Sequence, residues 1–299
     1  MDTDKFRFLT GCTAGKTNFI PFFSVEEVAK FECGSPHSYF CVYYNDNWQI
    51  YNEVAGWTAI GMTSIINSAT DEMQIFAVDS TGNICEIFPG EVRLSFSHYT
   101  DEIGITHICT FDNQVYVCGM GRLVMRRKTS ETWENISAPS SENELGIIGF
   151  TSMASNGDVL CAVGWQGEIW TYREERWSRE SSPTNANLNS VVYCREDDRF
   201  YIVGDNGAVV AGNIDAWSYI NVEADINFQD IAITQNVIFI ASDFAVYSLR
   251  GGKLQSDLVS EEGDTISCLK LISTQNEKEL YSVGPYDAFI RGDSFWTRI

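Results

Sequence analysis

Positive charge is scarce in this sequence: 20 lysines and arginines stand against 41 aspartates and glutamates in 299 residues, a net charge of −21. That balance argues against a nucleic-acid ligand or an anionic membrane surface, because both need a cationic protein face. It favours a basic partner protein. Histidine is rarer still, with His37, His98 and His107 far apart in the chain. Cys33 and His37 are close in sequence but lack two further ligands at metal spacing, so neither a metal centre nor any other cofactor is expected. No run approaches the roughly 18 to 20 apolar residues of a membrane span. The opening residues MDTDKFRFLTGC carry acid where a signal peptide has a basic region, and no apolar core follows, which points to a cytoplasmic protein. The nine cysteines form no CxxC pair and sit largely inside apolar words such as YFCVYY and VLCAVG. They read as reduced core residues of a cytosolic protein.

What the sequence does contain is repetition. An apolar run, a short glycine-bearing or polar turn and a second apolar run recur as FCVYYNDNWQIY, IFAVDSTGNICEI, VYVCGMGRLVM, LCAVGWQGEIW, YIVGDNGAVV, IFIASDFAVYS and LYSVGPYDAFI. With Tyr44, Asp79, Gly119, Gly164, Gly204, Ser242 and Gly284 as equivalent positions, the steps are 35, 40, 45, 40, 38 and 42 residues. Trp57, Trp133, Trp177, Trp217 and Trp296 follow their anchors by 12 to 14 residues. Short β-branched words such as MTSIIN, ITHICTF and LNSVVYC precede the pairs. Four short strands about every 40 residues specify a propeller blade. The fold expected is all-β, a seven-bladed β-propeller of four-stranded antiparallel blades spanning 24–60, 61–100, 103–138, 146–180, 187–222, 226–260 and 264–299. Residues 1–23 are read as an N-terminal arm or a closing strand, and 24–299 as the propeller domain.

The words AVGWQGEIWTYREERW and IVGDNGAVVAGNIDAW, and more loosely CGMGRLVMRRKTSETW, combine a V-G-x-x-G turn, a strand and a later tryptophan. This pattern resembles the bacterial-neuraminidase-repeat (Asp-box) propellers, including those like photosystem II assembly factors. The Asp-box itself is degenerate: TSETW keeps only Thr132 and Trp133 of its pattern. The resemblance implies a propeller, and propellers host hydrolases, assembly factors and inhibitors alike.

Candidate chemistry is thin. TGCTAGKT (10–17) is similar to a phosphate-binding loop, but Thr10 replaces its first glycine and no helical pattern follows. A sialidase would need clustered arginines with an acid and a tyrosine, and no G-x-S-x-G nucleophile elbow occurs. The chain is therefore expected not to be an enzyme.

Propeller topology sorts the loops into two faces. Connections between blades (D to A) and B-to-C turns share the first face, whereas A-to-B and C-to-D turns share the second. The first face gathers Asp101, Glu102, Glu142, Glu144, Glu223, Asp225, Glu261, Glu262 and Asp264, with Asp46, Asp79, Asp205, Asp243 and Asp287 from its turns. Arg122 is the one clear base among them. The second face mixes acids with Arg126, Arg127, Lys128, Arg173, Arg176, Arg195, Arg199, Arg250, Lys253, Lys278 and Arg291. Such segregation concentrates repulsion on one side, which a basic partner would relieve. Trp165, Phe244 and Tyr286, with Met120 and Tyr44 nearby, add aromatic and apolar anchors, although these also suit packing over the central channel.

The leading expectation is a non-enzymatic, acidic, protein-binding propeller. It would act as a cytosolic inhibitor or immunity protein that covers the nucleic-acid site of a basic toxin, a nuclease, and would be a monomer before it binds. The alternatives are an assembly or scaffold propeller that holds a subunit during complex maturation, and a carbohydrate-active or lectin propeller.

Overall fold

In the computed structural model, residues 5–14, 20–66, 73–88, 91–96, 104–129, 132–140, 148–214, 216–258, 267–274, 278–292 and 295–299 are described. Seven four-stranded antiparallel sheets, each built from consecutive strands, occupy 6–55, 61–96, 105–135, 150–179, 188–219, 228–258 and 270–298. Strand A of each neighbours strand A of the next, and that of blade 1, Phe6–Ala14, meets that of blade 7, Lys270–Ser273. The chain is a closed seven-bladed β-propeller.

The recurring V-G word has a packing cause. At the end of strand B, a Cβ on Gly119, Gly164 or Gly204 would lie 2.2, 1.8 or 2.0 Å from the carbonyl oxygen of Gly104, Gly149 or Asn187. Only glycine lets strand B press so closely on the connection entering its own blade. Between blades, faces that one sheet could not bury alone form apolar layers. Leu188, Phe200 and Val210 of blade 5 pack with Val163 and Ile169 of blade 4. Trp133, Trp177, Trp217 and Trp296 all lie on outermost strands, and Trp177 stacks on Phe150 at 5.5 Å.

Blade 1 departs from the expected frame in three ways. Its first strand, Phe6–Ala14, pairs with Ile20–Glu27 along its whole length, so the blade starts inside the segment set apart as an arm or closing strand. The word FCVYYNDNWQIY is its C–D hairpin and not a B–C pair, because the B–C connection is occupied by the short helix Val28–Glu32. Asn45 and Asp46 both have positive φ, as do Glu174 and Glu175 in the C–D turn of blade 4, the signature of a tight two-residue hairpin. Trp48 therefore holds the place that Trp177 holds in blade 4, and packs on Phe8, Phe23 and Tyr43. Trp57 is a buried residue beyond strand D. Tyr44 and Asp46 move to the second face. The stretch TGCTAGKT begins inside strand A, and the next described element is a strand and not a helix; its residues 15–17 lie outside the described residues.

Among the described residues, no sheet is shared between the two ends of the chain. Closure rests on a packed seam of Phe8, Phe23, Val25 and Cys41 against Ile272, Tyr281, Val283 and Ala288. Two hydrogen bonds reinforce it: the Phe8 N–H donates to Pro285 O at 3.2 Å, and Thr13 Oγ1 to Ser273 O at 3.3 Å.

All nine cysteines are unpaired; seven are buried, Cys109 is half-buried and Cys33 is exposed. Burial pushes the thiols of Cys12, Cys41 and Cys118 up to about 12, which keeps them protonated and inert. Among the described residues, no helix is long and apolar enough to cross a membrane.

Candidate functional site: the first face and its channel

The first face carries fewer exposed carboxylates on its turns than the sequence reading placed there. Asp79 and Asp287 are 8% and 2% exposed. Asp79 accepts from Thr81 N at 2.9 Å, Asn83 N at 2.8 Å and Asn83 Nδ2 at 2.8 Å, closing its own turn. Asp287 accepts from Ser267 N at 3.1 Å and pairs with Arg298. Both carboxylates are committed to the fold and are unavailable to a partner. For Asp79 the reason is local, since an aspartate opening a tight turn is the natural acceptor for backbone N–H groups two to four residues on; Asp287 closes its turn and is held by groups distant in sequence, Ser267 and Arg298. Asp205 and Asp243 are half-buried. Asp205 takes hydrogen bonds from Asn187 Nδ2 at 3.0 Å and Asn189 Nδ2 at 2.9 Å, and Asp243 one from Gln229 Nε2 at 2.8 Å. Glu223 and Asp225, between blades 5 and 6, are exposed. Asp101, Glu102, Glu142, Glu144, Glu261, Glu262 and Asp264 lie outside the described residues.

Correct framing of blade 1 adds Glu27, Glu32 and Glu53 to this face, together with bases that the sequence reading did not place there. Each of these bases stands beside an acid. Lys30 Nζ lies 2.8 Å from Glu53 and 3.5 Å from Glu27, and Arg7 Nε lies 3.0 Å from Glu26 while its guanidinium covers the Phe31 ring. The Lys30 hydrogen bond holds the Glu53 carboxyl below its ordinary value. Arg298 faces Asp287, and Arg179 lies 3.6 Å from Glu168. Arg122, expected as the exposed base, is only 1% exposed. It pairs with buried Glu168 of blade 4, with its Nε 3.0 Å from Oε2, and donates to Pro139 O at 2.7 Å. It also lies over the Trp170 ring at 4.8 Å.

Of the expected anchors, Phe244 and Tyr286 are 73% and 71% exposed, on the B–C turns of blades 6 and 7. Trp165 is half-buried against the close approach of Gly149, and Met120 is half-buried beside Gly104.

The A strands enclose a central channel with a cavity of about 330 Å³. In blades 1, 3, 4, 5 and 6 a β-bulge interrupts strand A where it enters from the first face. The bulged residues Leu9, Thr106, Thr151, Asn189 and Gln229 line the channel mouth. Ile60 and Leu269 take the corresponding places in blades 2 and 7, their N–H groups bonded to Val78 O and Val283 O. Thr106, Thr151 and Asn189 donate to the backbone carbonyls of Phe150, Leu188 and Phe228, stitching each blade to the next. Deeper, Asp230 accepts from Ser190 Oγ at 2.6 Å and Leu271 N at 2.8 Å and lies 3.2 Å from Lys270 Nζ.

His107 shares this channel. Burial, and then the Lys270 ammonium, push its imidazole down to about 3, so it is neutral near pH 7. Unfolding returns it to about 6.5. Between those values the unfolded chain binds a proton that the folded chain refuses, so stability falls as the pH falls through that window. We expect wild type to lose about 1–2 kcal/mol more than His107→Gln between pH 7 and pH 5, at about 1.4 kcal/mol per pH unit discounted for water in the channel. Urea denaturation at both pH values reads the difference, and parallel pH dependences would contradict the assignment.

Among the described residues no cluster of three or more histidines, cysteines, aspartates or glutamates could hold a metal ion. His37 is committed to the fold, its Nε2 accepting the Glu27 N–H at 2.9 Å, and His98 lies outside the described residues.

No protein-family model matches the chain. Immune protein Tsi7 of Pseudomonas aeruginosa is 32% identical over 198 residues, which cover 64% of this chain and 63% of that protein. The chain thus matches less than two thirds of that relative's length. Among solved structures, YCF48 bound to D1 peptide superposes with a TM-score of 0.71 at 12% identity, over 97% of this chain and 94% of that one. A structural genomics protein of unknown function from Bacteroides thetaiotaomicron does so with a TM-score of 0.54 at 10% identity, over 95% and 89%. At such identities these likenesses establish the propeller architecture alone, and the Asp-box resemblance rests on the repeat words.

Proposed function

We propose that this propeller is a non-enzymatic immunity protein that binds and neutralises a basic toxin, with the first face as its docking surface. The observation that carries the reading is the 32% identity to the immune protein Tsi7, over a span too long to be one shared repeat. The charge of −21 accords with a basic partner, and a nuclease fits best because its phosphate-binding groove is cationic. Occupying that groove with carboxylates would exclude nucleic acid without any catalysis by the inhibitor. Action in the cytoplasm follows if the toxin's substrate is there. The assembly-factor alternative has only the fold likeness behind it, and no observation favours the carbohydrate-binding one.

The contact set narrows to Glu223, Asp225, Asp243, Phe244 and Tyr286, with half-buried Asp205 and Trp165 at its margin. Asp101, Glu102, Glu142, Glu144, Glu261, Glu262 and Asp264 belong to the same connections by sequence.

Co-purification with the protein encoded by the neighbouring gene is the direct test, followed by assay of that protein's cleavage of DNA and RNA. A basic protein that is held tightly and silenced is expected. A neighbour that is not basic, or that is neither bound nor inhibited, overturns the reading. Within the complex, Glu223→Lys with Asp225→Lys should slow association roughly tenfold at low salt, because long-range attraction acts chiefly on the on-rate. Reversing Glu196, Asp197 and Asp198 on the second face should change it far less. Stopped-flow mixing reads both, and equal effects would remove the first face from the interface.

A further inference from the structure

The seven channel-mouth positions divide by chemistry. In blades 3 to 6 they are Thr106, Thr151, Asn189 and Gln229, with their side chains engaged in hydrogen bonds. In blades 7, 1 and 2 they are Leu269, Leu9 and Ile60, whose side chains have nothing to donate or accept. Leu269 and Ile60 remain 40% and 36% exposed. The mouth is therefore polar around one arc and apolar around the other, and the apolar arc is centred on blade 1 and takes in the seam where blade 7 meets it.

Beside the blade 7 end of this arc, the B–C turns of blades 6 and 7 raise Phe244 and Tyr286 into solvent. Both turns bond to the chain entering the next blade: the Cys268 N–H donates to Asp243 O at 3.1 Å and the Phe8 N–H to Pro285 O at 3.2 Å. An apolar sector thus runs from the turns of blades 6 and 7 to the mouth residues Leu269, Leu9 and Ile60. Exposed carboxylates flank it, Glu223 and Asp225 before blade 6 and Glu32 on the helix of blade 1. Exposed apolar surface bordered by free carboxylates, with the neighbouring bases Arg298, Arg7 and Lys30 each beside an acid, is the composition of a hot spot for a partner of positive charge.

We propose that this sector is the anchoring site for a basic protein partner. An apolar side chain from a projecting loop of that partner enters the channel mouth between Leu9, Ile60 and Leu269. Phe244 and Tyr286 cover the loop, and lysines or arginines flanking it meet Glu223, Asp225 and Glu32. The proposal rests on the immunity reading for the identity of the partner and narrows a whole face to one sector of it. The cavity below the mouth has room for one large side chain, and its polar far wall favours an anchor that stops at the rim. Because no connecting segment of the chain runs from blade 7 to blade 1, an anchor lodged there also bridges the closure, so binding restrains the one joint of the ring that no covalent connection spans.

The ring itself supplies gentle test variants, since its other blades carry polar residues at the same place. Ile60→Thr combined with Leu269→Gln should leave the melting temperature of the free protein unchanged within the spread of neutral surface variants. With the basic protein of the neighbouring gene as probe, surface plasmon resonance should show dissociation faster by roughly tenfold or more and association within twofold. Hydrogen exchange should show binding slowing exchange in Phe6–Ala14 and Lys270–Ser273 more than in Leu188–Cys194. Tight binding with an unchanged off-rate in the double variant, or protection spread evenly round the ring, overturns the sector and leaves the immunity reading intact. Failure of wild type to bind that protein overturns both.

Discussion

Glu168→Ala is expected to lower the unfolding free energy by about 3–5 kcal/mol, because it leaves a guanidinium inside the protein without its carboxylate. Arg122 is 1% exposed and Glu168 is 4% exposed, so neither charge can recover its hydration in the folded state. The pair joins the B–C turn of blade 3 to that of blade 4, and Pro139 O accepts a further hydrogen bond from the same guanidinium. Removing both charges with Arg122→Met and Glu168→Leu should cost less than Glu168→Ala alone, since similar volume is refilled and no ion is stranded. Denaturation midpoints for the single and double variants measure the difference. A single variant within 1 kcal/mol of wild type would mean that water reaches Arg122 readily.

Phe23→Ala should cost about 3–5 kcal/mol by opening a cavity at the seam. Phe23 is fully buried, with its ring 6.1 Å from Phe8, 5.2 Å from Trp48 and 6.2 Å from Tyr281, the last across the joint between the two ends of the chain. Phe200→Ala, equally buried between blades 4 and 5, should cost a similar amount but have a different consequence. At the seam the loss falls on a joint held by packing and a few hydrogen bonds. Amide exchange should therefore rise selectively in Phe6–Ala14 and Lys270–Ser273. Phe200→Ala should not produce that selective rise. Identical exchange maps for the two variants would show that the seam opens no more easily than any other joint.

The sequence made the ring legible because its spacing constraints are local. A glycine that must clear a carbonyl at the end of strand B, and a tryptophan two residues beyond a C–D turn, mark a blade without knowledge of its neighbours. Blade 1 misled the reading for a physical reason. Its B–C connection contains a helix, so the nearest resemblance to the usual word was the Asn45–Asp46 hairpin one strand later. That shift carried Tyr44 and Asp46 to the wrong face and matched Trp57 where Trp48 belongs. Topology assigned the loops of the other blades to their faces, but it could not say which carboxylates are exposed. Asp79 is turned inward by the turn it opens, a signal present in the word DSTGN, whereas Asp287 is held by Ser267 and Arg298, far from it in sequence. Arg122 gave no sequence sign of burial, because its partner Glu168 lies in the next blade. The apolar arc of Leu9, Ile60 and Leu269 was illegible for another reason: a bulge breaks the two-residue alternation at Leu9, and Ile60 and Leu269 lie just before their strands, where no alternation shows which way a side chain points.

Each sheet is cut from one uninterrupted length of chain, and this governs how such a wheel can change size. Copying or deleting one forty-residue stretch adds or removes a whole spoke and leaves no half-built sheet at either terminus. In a wheel fastened by lending a strand from one end of the chain to the other, the same event would have to preserve a divided spoke. The circumference here is thus free to vary in whole units, with only the fit across the last gap to be restored.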